Sequence, residues 1–75
     1  MKLKLLTCTA QRPDRRAIIN CINEIATGID TLLAQELTEI LLEGDSISLE
    51  VSDKNSGSAL RALRKLNIDY EIQES

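Results

Sequence analysis

The chain has 75 residues, a net charge of −3, no histidine and one aromatic residue, Tyr70. A chain of this length forms a single domain, residues 1–75, that buries only about 60% of its unfolded surface. Without histidine the chain lacks the usual general base at neutral pH. A single aromatic ring does not provide the stacking platforms that bind single-stranded nucleic acid. The acidic net charge argues against a general polyanion binder.

The remaining composition indicates a cytoplasmic protein that uses no cofactor and no metal. No segment is apolar over the roughly 20 residues that cross a bilayer, so we expect no membrane association. Cys8 and Cys21 are the only cysteines. In a reducing compartment we expect two free thiols, and two thiols without histidine do not form a common zinc site. No Gly-rich phosphate loop or catalytic set is present, so we expect neither an enzyme nor a small-molecule substrate.

The first predicted element is a strand over residues 2–8, in which apolar and basic residues alternate. The inner positions are Leu3 and Leu5, and the outer positions are Lys2 and Lys4. The same alternation would place Leu6 and Cys8 on the outer face. Pro13 prevents the strand from continuing, and of the two thiols only Cys8 has a cation nearby, at Arg12, to activate it.

Two amphipathic helices separated by a turn at Gly28 follow the first strand and form a predicted helical hairpin. The first helix has its apolar stripe at Ile18, Ile22, Ile25 and Ala26, with Ile19 at the flank. The second helix has its apolar stripe at Leu33, Leu37, Ile40 and Leu41. Asp14 and Asp30 are predicted N-caps. Gly28 and Gly44 are predicted left-handed stops at the two C-termini.

The second half of the chain predicts a strand, a helix and a final strand. Residues 46–51 alternate cleanly, with Ile47, Leu49 and Val51 on the inner face. Residues 53–57 form a turn, and a helix over about residues 58–66 is capped near Ser58. The apolar stripe of this helix contains Ala59, Leu60, Leu63 and Leu66. Asn67 is predicted to end the helix, and residues 68–73 form the last strand.

This order predicts an α+β fold of two layers, βααβαβ, with a three-stranded, mainly antiparallel sheet and three helices on one of its faces. We expect the first strand in the middle of the sheet. Lys2 and Lys4 would then lie on the outer face between Glu50 on one side and Asp69 or Glu71 on the other. Exposed cross-strand pairs of this kind contribute little more than roughly 0.2 kcal/mol each, so they set register more than stability.

The chain resembles the C-terminal domain of the bacterial ribosomal stalk protein, whose fold is shared with the Clp protease N-degron adaptor. The resemblance rests on residues 17–19 (AII), Ile22 and residues 24–29 (EIATGI) in the first helix and its turn, and on residues 59–72 in the last helix and strand. In the stalk domain, the exposed side of the helical hairpin contacts translation factors through basic residues. At matching positions this chain has Asn20, Asn23 and Gln35.

We therefore expect a non-enzymatic interaction module that binds a protein partner through the exposed side of the hairpin. The predicted partner-binding residues are Arg16, Asn20, Asn23, Gln35 and Leu42, of which Leu42 is expected to face away from the core. Leu32 is the other leucine that falls off the predicted stripe. The sequence leaves the oligomeric state open. Of the stalk domain's basic positions only Arg15 or Arg16 keeps the charge here, and the second helix carries Glu36, Glu39 and Glu43. The partner should therefore differ from that of the stalk.

A second hypothesis is a ribosome- or RNA-associated factor that binds an anionic partner through exposed cations. Its predicted residues are Arg61, Arg64 and Lys65 on the third helix, together with Arg12, Arg15 and Arg16. The alternative interpretation of the third helix is a solvated face, because cations near a helix C-terminus are stabilised by the helix dipole. The residues 55–58 could bind an anion at a helix N-terminus, but helix capping explains them better.

Overall fold

The computed structural model describes residues 1–73, with the backbone alone at Asn55. In chain order its elements are β1 (Lys2–Cys8), α1 (Arg15–Ile25), α2 (Thr31–Leu42), β2 (Ile47–Glu50), a 3₁₀ turn (Asp53–Asn55), α3 (Ser56–Lys65) and β3 (Ile68–Gln73). The strand order is β2-β1-β3, and both pairings are antiparallel. The predicted two-layer α+β fold is confirmed. None of the helices within residues 1–73 is long and apolar enough to cross a membrane.

The predicted register of the central strand is confirmed in its first half. Lys2 lies opposite Glu50 in β2, and Lys4 lies opposite Glu71 in β3. The inner positions Leu3 and Leu5 are completely buried. The open face of the sheet therefore carries basic residues on the middle strand and acidic residues on both neighbours.

The prediction that Cys8 lies on the outer face is wrong, because β1 contains an irregularity at Leu6. Leu5 is paired with Tyr70 and Thr7 with Asp69, so Leu6 is an extra residue on its strand. A bulge of this kind shifts the alternation by one position. Cys8 consequently lies opposite Ile68 on the inner face. It packs against the core, and its Sγ lies 3.6 Å from the carbonyl oxygen of Leu66.

Helix α1 has the buried stripe that its sequence predicts. Ile18, Ile22 and Ile25 are buried, and Cys21 is buried beside them. Asp14 is the N-cap, since its Oδ1 accepts a hydrogen bond from the Ala17 amide at 3.1 Å. This helix contacts both α2 and α3, so it is the central helix of the layer.

The C-terminus of α1 differs from the prediction. The helix ends at Ile25 because Ala26 is extended and forms an isolated antiparallel bridge with Val51. The Thr27 amide then donates to the Glu50 carbonyl oxygen at 2.9 Å. Gly28 has a φ of +71°, but it serves the turn that follows these contacts and does not terminate the helix.

Helix α2 is rotated about its axis relative to the predicted orientation. Its buried residues are Ala34, Thr38 and Leu41, whereas Leu33 and Ile40 are 40% and 38% exposed. Burial of Thr38 is tolerated because its hydroxyl donates to the Ala34 carbonyl oxygen at 2.8 Å. The predicted apolar stripe was therefore wrong for Leu33 and Ile40.

Both ends of α2 match their predicted signals. The Asp30 Oδ1 accepts from the Leu33 amide at 2.8 Å, which makes Asp30 the N-cap. Gly44 has a φ of +102°. Its amide donates to Leu41, and the Asp45 amide donates to Ile40. These two bonds form a Schellman motif, which satisfies carbonyl groups at the end of the helix.

Helix α3 begins two residues earlier than predicted, at Ser56, after a 3₁₀ turn. The Ser56 hydroxyl donates to the Asp53 carbonyl oxygen at 3.0 Å, which stabilises this entry. Ser58 therefore lies inside the helix and is not its cap. Asn67 adopts a φ of +58° and ends the helix as predicted. Ala59 and Leu63 are completely buried in the core.

Candidate functional site

The structure places the predicted partner-binding residues on the helical hairpin, but it does not expose all of them. Arg16, Asn20, Asn23 and Gln35 are exposed. Leu42 is half-buried and packs against the core. The expectation that Leu42 faces away from the core is therefore wrong, and Leu42 cannot be an exposed anchor.

Leu42 is half-buried because it lies on the side of α2 that faces α1. Arg15 forms an ion pair with Glu39 across the two helices. At the other end of the hairpin, the Asn23 side-chain amide lies 3.5 Å from the Thr31 hydroxyl. Leu42 lies on the same line of α2 as Thr31 and Glu39, because helical positions three or four apart share a face. We call this line the α1–α2 seam.

The opposite side of α2 carries apolar side chains that the predicted orientation had assigned to the core. Leu33, Leu37 and Ile40 follow one another at spacings of four and three residues, so they form one line along the helix. We call this line the outer stripe. Leu37 is half-buried, whereas Leu33 and Ile40 are exposed.

The outer stripe has an acidic border on its solvent side. Glu36 lies three residues after Leu33 and four before Ile40, and Glu43 lies three residues after Ile40. Both carboxylates are exposed. Leu32, at 67% exposure, lies one turn before Glu36. Sequence reasoning missed this surface, although the excess of leucine and isoleucine in residues 32–42 over what one stripe can bury was a visible signal.

The cations proposed for an anionic partner are exposed on α3. These residues are Arg61, Arg64 and Lys65. The Arg64 Nε donates to the Tyr70 hydroxyl at 3.2 Å, so this guanidinium is directed towards β3. Beside it lies a shallow depression of about 500 Å³, lined by Leu6, Thr9, Asn67 and Asp69 among others. The Asp69 carboxylate lines this depression together with Arg64, so the surface around Arg64 is mixed in charge.

Cys21 does not have the environment of a reactive thiol site. Both cysteines are free. Burial, and secondarily the negative charge of Glu24, raises the pKa of the Cys21 thiol above its ordinary value of 9.0. A raised pKa keeps the thiol protonated and unreactive at neutral pH. Within residues 1–73, no group of three or more histidine, cysteine or carboxylate side chains is placed to hold a metal ion.

Comparisons of the chain with protein-family models, with curated proteins and with solved structures gave no match. The resemblance to the ribosomal stalk domain therefore stays a prediction. Its element order agrees with the fold described above, and the assignment of function rests on the surfaces alone.

Proposed function

We propose that this chain is a small, non-enzymatic interaction module of the cytoplasm that binds a protein partner through the hairpin. The observation that carries the proposal is the outer stripe of α2. The proposed contact surface is therefore this stripe, and not the exposed side of α1 with Arg16, Asn20 and Asn23. Isolated exposed leucines are ordinary on protein surfaces. A line of Leu33, Leu37 and Ile40 on one helix, next to the further exposed Leu32, is the kind of apolar patch that marks contact sites.

The acidic charges around the outer stripe favour a partner with positive charge. Glu36 and Glu43 border the stripe, and α2 contains no lysine or arginine. A second copy of α2 would bring these carboxylates together, and like charges at an interface oppose association. The partner is therefore proposed to be an amphipathic helix whose apolar side chains are bordered by lysine or arginine. If the stalk resemblance holds, such a helix would belong to the translation machinery.

The test is site-specific photo-crosslinking in the protein's own cells. A photoreactive amino acid replaces Leu33 in one variant and the exposed Asn20 on α1 in a matched control. We expect the Leu33 position to capture one predominant protein, and the Asn20 position to capture less of it. The crosslinked peptide of that protein should lie in a helix carrying lysine or arginine.

A charge reversal then tests the acidic border. The double variant Glu36→Lys, Glu43→Lys should capture less of the same protein from position 33. The exposed Glu71→Gln in β3, a control away from α2, should leave capture unchanged. Equal capture from Asn20 and Leu33, or capture that the double variant does not reduce, would contradict binding at the outer stripe.

A further inference from the structure

The two edges of the sheet are protected unequally. At the β2 edge, Ala26 bridges to Val51, and the Thr27 amide occupies the Glu50 carbonyl oxygen. The β2 strand is also short, with four residues. At the other edge, β3 has six residues and contacts β1 on one side only within the described chain. An open edge is a template for a further strand.

The hydrogen-bonding groups at the β3 edge follow from the register. The Val51 amide donates to the Met1 carbonyl oxygen. In antiparallel pairs, hydrogen-bonded and non-bonded positions alternate along each strand. Because Met1 is bonded on the β2 side, the N–H and C=O groups of Lys2 and Lys4 point to the opposite side, towards β3. They pair there with Gln73 and Glu71. The backbone amides of Tyr70 and Ile72 consequently point away from β1, to the open edge.

The side chains of β3 give this edge two chemically different faces. On the inner face, Ile72 is 48% exposed, and Tyr70 is half-buried beside the Arg64 guanidinium. On the outer face, Asp69 and Glu71 are exposed. A strand added here would meet an apolar surface on one side and two carboxylates on the other.

We propose that the open edge of β3 binds an extended segment of another protein in which apolar residues alternate with lysine or arginine. The central strand β1 has the same alternation of apolar and basic residues where it pairs with the other edge of β3, since Leu3 lies opposite Ile72 and Lys4 opposite Glu71. A second copy of β3 fits poorly, because antiparallel β3 strands would face carboxylates with carboxylates. The proposal is independent of the hairpin surface.

The test uses an eight-residue peptide, blocked at both ends, that alternates lysine with valine. The ¹⁵N-labelled protein is titrated with it by NMR, and amide hydrogen exchange is measured at saturation. We expect saturable shifts and slowed exchange at Tyr70 and Ile72, because their amides gain hydrogen bonds. Shifts confined to residues 31–43, or no slowing at Tyr70 and Ile72, would overturn the proposal.

Two matched peptides separate strand addition from charge attraction alone. One has its valine amides N-methylated. The valines would lie opposite Tyr70 and Ile72, so this change removes the peptide donors that face β3 and keeps the charges. The other has glutamate in place of lysine. The affinity of both peptides should be lower than that of the parent peptide by about tenfold or more. The loss of a few hydrogen bonds, or of the charge pairs, implies a change of this size. Binding of the N-methylated peptide within about twofold of the parent would overturn the proposal.

Two protein variants complete the test. Ile72→Pro removes an edge amide that β1 does not use, and proline is tolerated at such positions. It should abolish the slowed exchange at Tyr70, while the unbound spectrum stays folded. Asp69→Lys, at a position opposite Thr7, should lower the preference for the lysine peptide over the glutamate peptide. If Ile72→Pro does not fold, the N-methylated peptide tests whether the edge amides bind the peptide backbone. An unchanged preference for the lysine peptide in Asp69→Lys would overturn the proposed pairing of lysine with the carboxylates of β3.

Discussion

Helices α1 and α2 are both predicted to be amphipathic, yet only α1 buries the residues that its pattern indicates. α1 packs between α2 and α3, and its buried residues share one core cluster with the inner residues of the sheet. Its polar and apolar residues separate cleanly, so only one orientation hides Ile18, Ile22 and Ile25. A helix in the middle of a layer must bury one defined stripe, and its sequence is constrained accordingly.

α2 lies on one flank of the helical layer, and its sequence allows more than one orientation. Six of its twelve residues are leucine or isoleucine, so several stripes are apolar. The orientation adopted buries the small residues Ala34 and Thr38, which let the helix approach its neighbours closely. The leucines that would have kept it at a distance lie on the outer stripe. The peripheral helix therefore exposes apolar residues that the core does not use, which is what the proposed binding requires.

The largest expected effect contrasts the two stripes directly. Ile22→Ala removes a completely buried side chain from α1 and should destabilise the protein by about 2–5 kcal/mol. Leu33→Ala on α2 should change stability by less than about 1 kcal/mol, because that side chain is exposed. Urea denaturation followed by circular dichroism gives both values. Equal losses would show that Leu33 belongs to the core and would remove the outer stripe.

A medium effect distinguishes the two orientations of α2. Thr38→Leu adds bulk at a site with no exposed surface and should destabilise the protein by about 1–3 kcal/mol through overpacking. Gln35→Leu introduces the same side chain at an exposed site of the same helix and should stay within about 0.5 kcal/mol of wild type. If Thr38→Leu is as harmless as Gln35→Leu, the helix has the orientation that the apolar pattern alone indicates.

The features that sequence could predict have local causes. Asp14 and Asp30 act as N-caps because their carboxylates reach amides three residues away, and Gly44 ends α2 because it adopts a positive φ. The pairing of Lys2 with Glu50 and of Lys4 with Glu71 follows from strand order and alternation. Each of these needs only neighbouring residues or a strict period of two.

The features that sequence could not predict depend on contacts distant along the chain. The extra residue at Leu6 has no local signal, yet it turns Cys8 to the inner face. The end of α1 is set by the bridge from Ala26 to Val51, which lies 25 residues away. The prediction that Leu42 is exposed failed for the same reason. Leu42 was assigned to the solvent because the apolar period of α2 is ambiguous, and only the contacts across the seam resolve it.

The smallest predicted change is in the pH dependence of stability. The buried stripe of α1 contains one titratable side chain, Cys21, whereas the buried stripe of α2 contains none. Burial, and then Glu24, raises the pKa of the Cys21 thiol above 9.0. The unfolded chain therefore releases this proton at a lower pH than the folded chain does. The contribution of Cys21 is complete below pH 9.0 and is lost as pH rises through the raised pKa of the folded state.

Cys21→Ala is the matched variant for this measurement, because it removes the thiol and leaves every other ionisable side chain in place. Its free energy of unfolding, measured from about pH 8 to about pH 10, should fall less steeply than that of wild type. Glu24→Gln, which removes the secondary cause and keeps the thiol, should lie between the two. Identical slopes in all three proteins would mean that Cys21 is hydrated, and α1 would then be as loosely covered on this side as α2 is along its outer stripe.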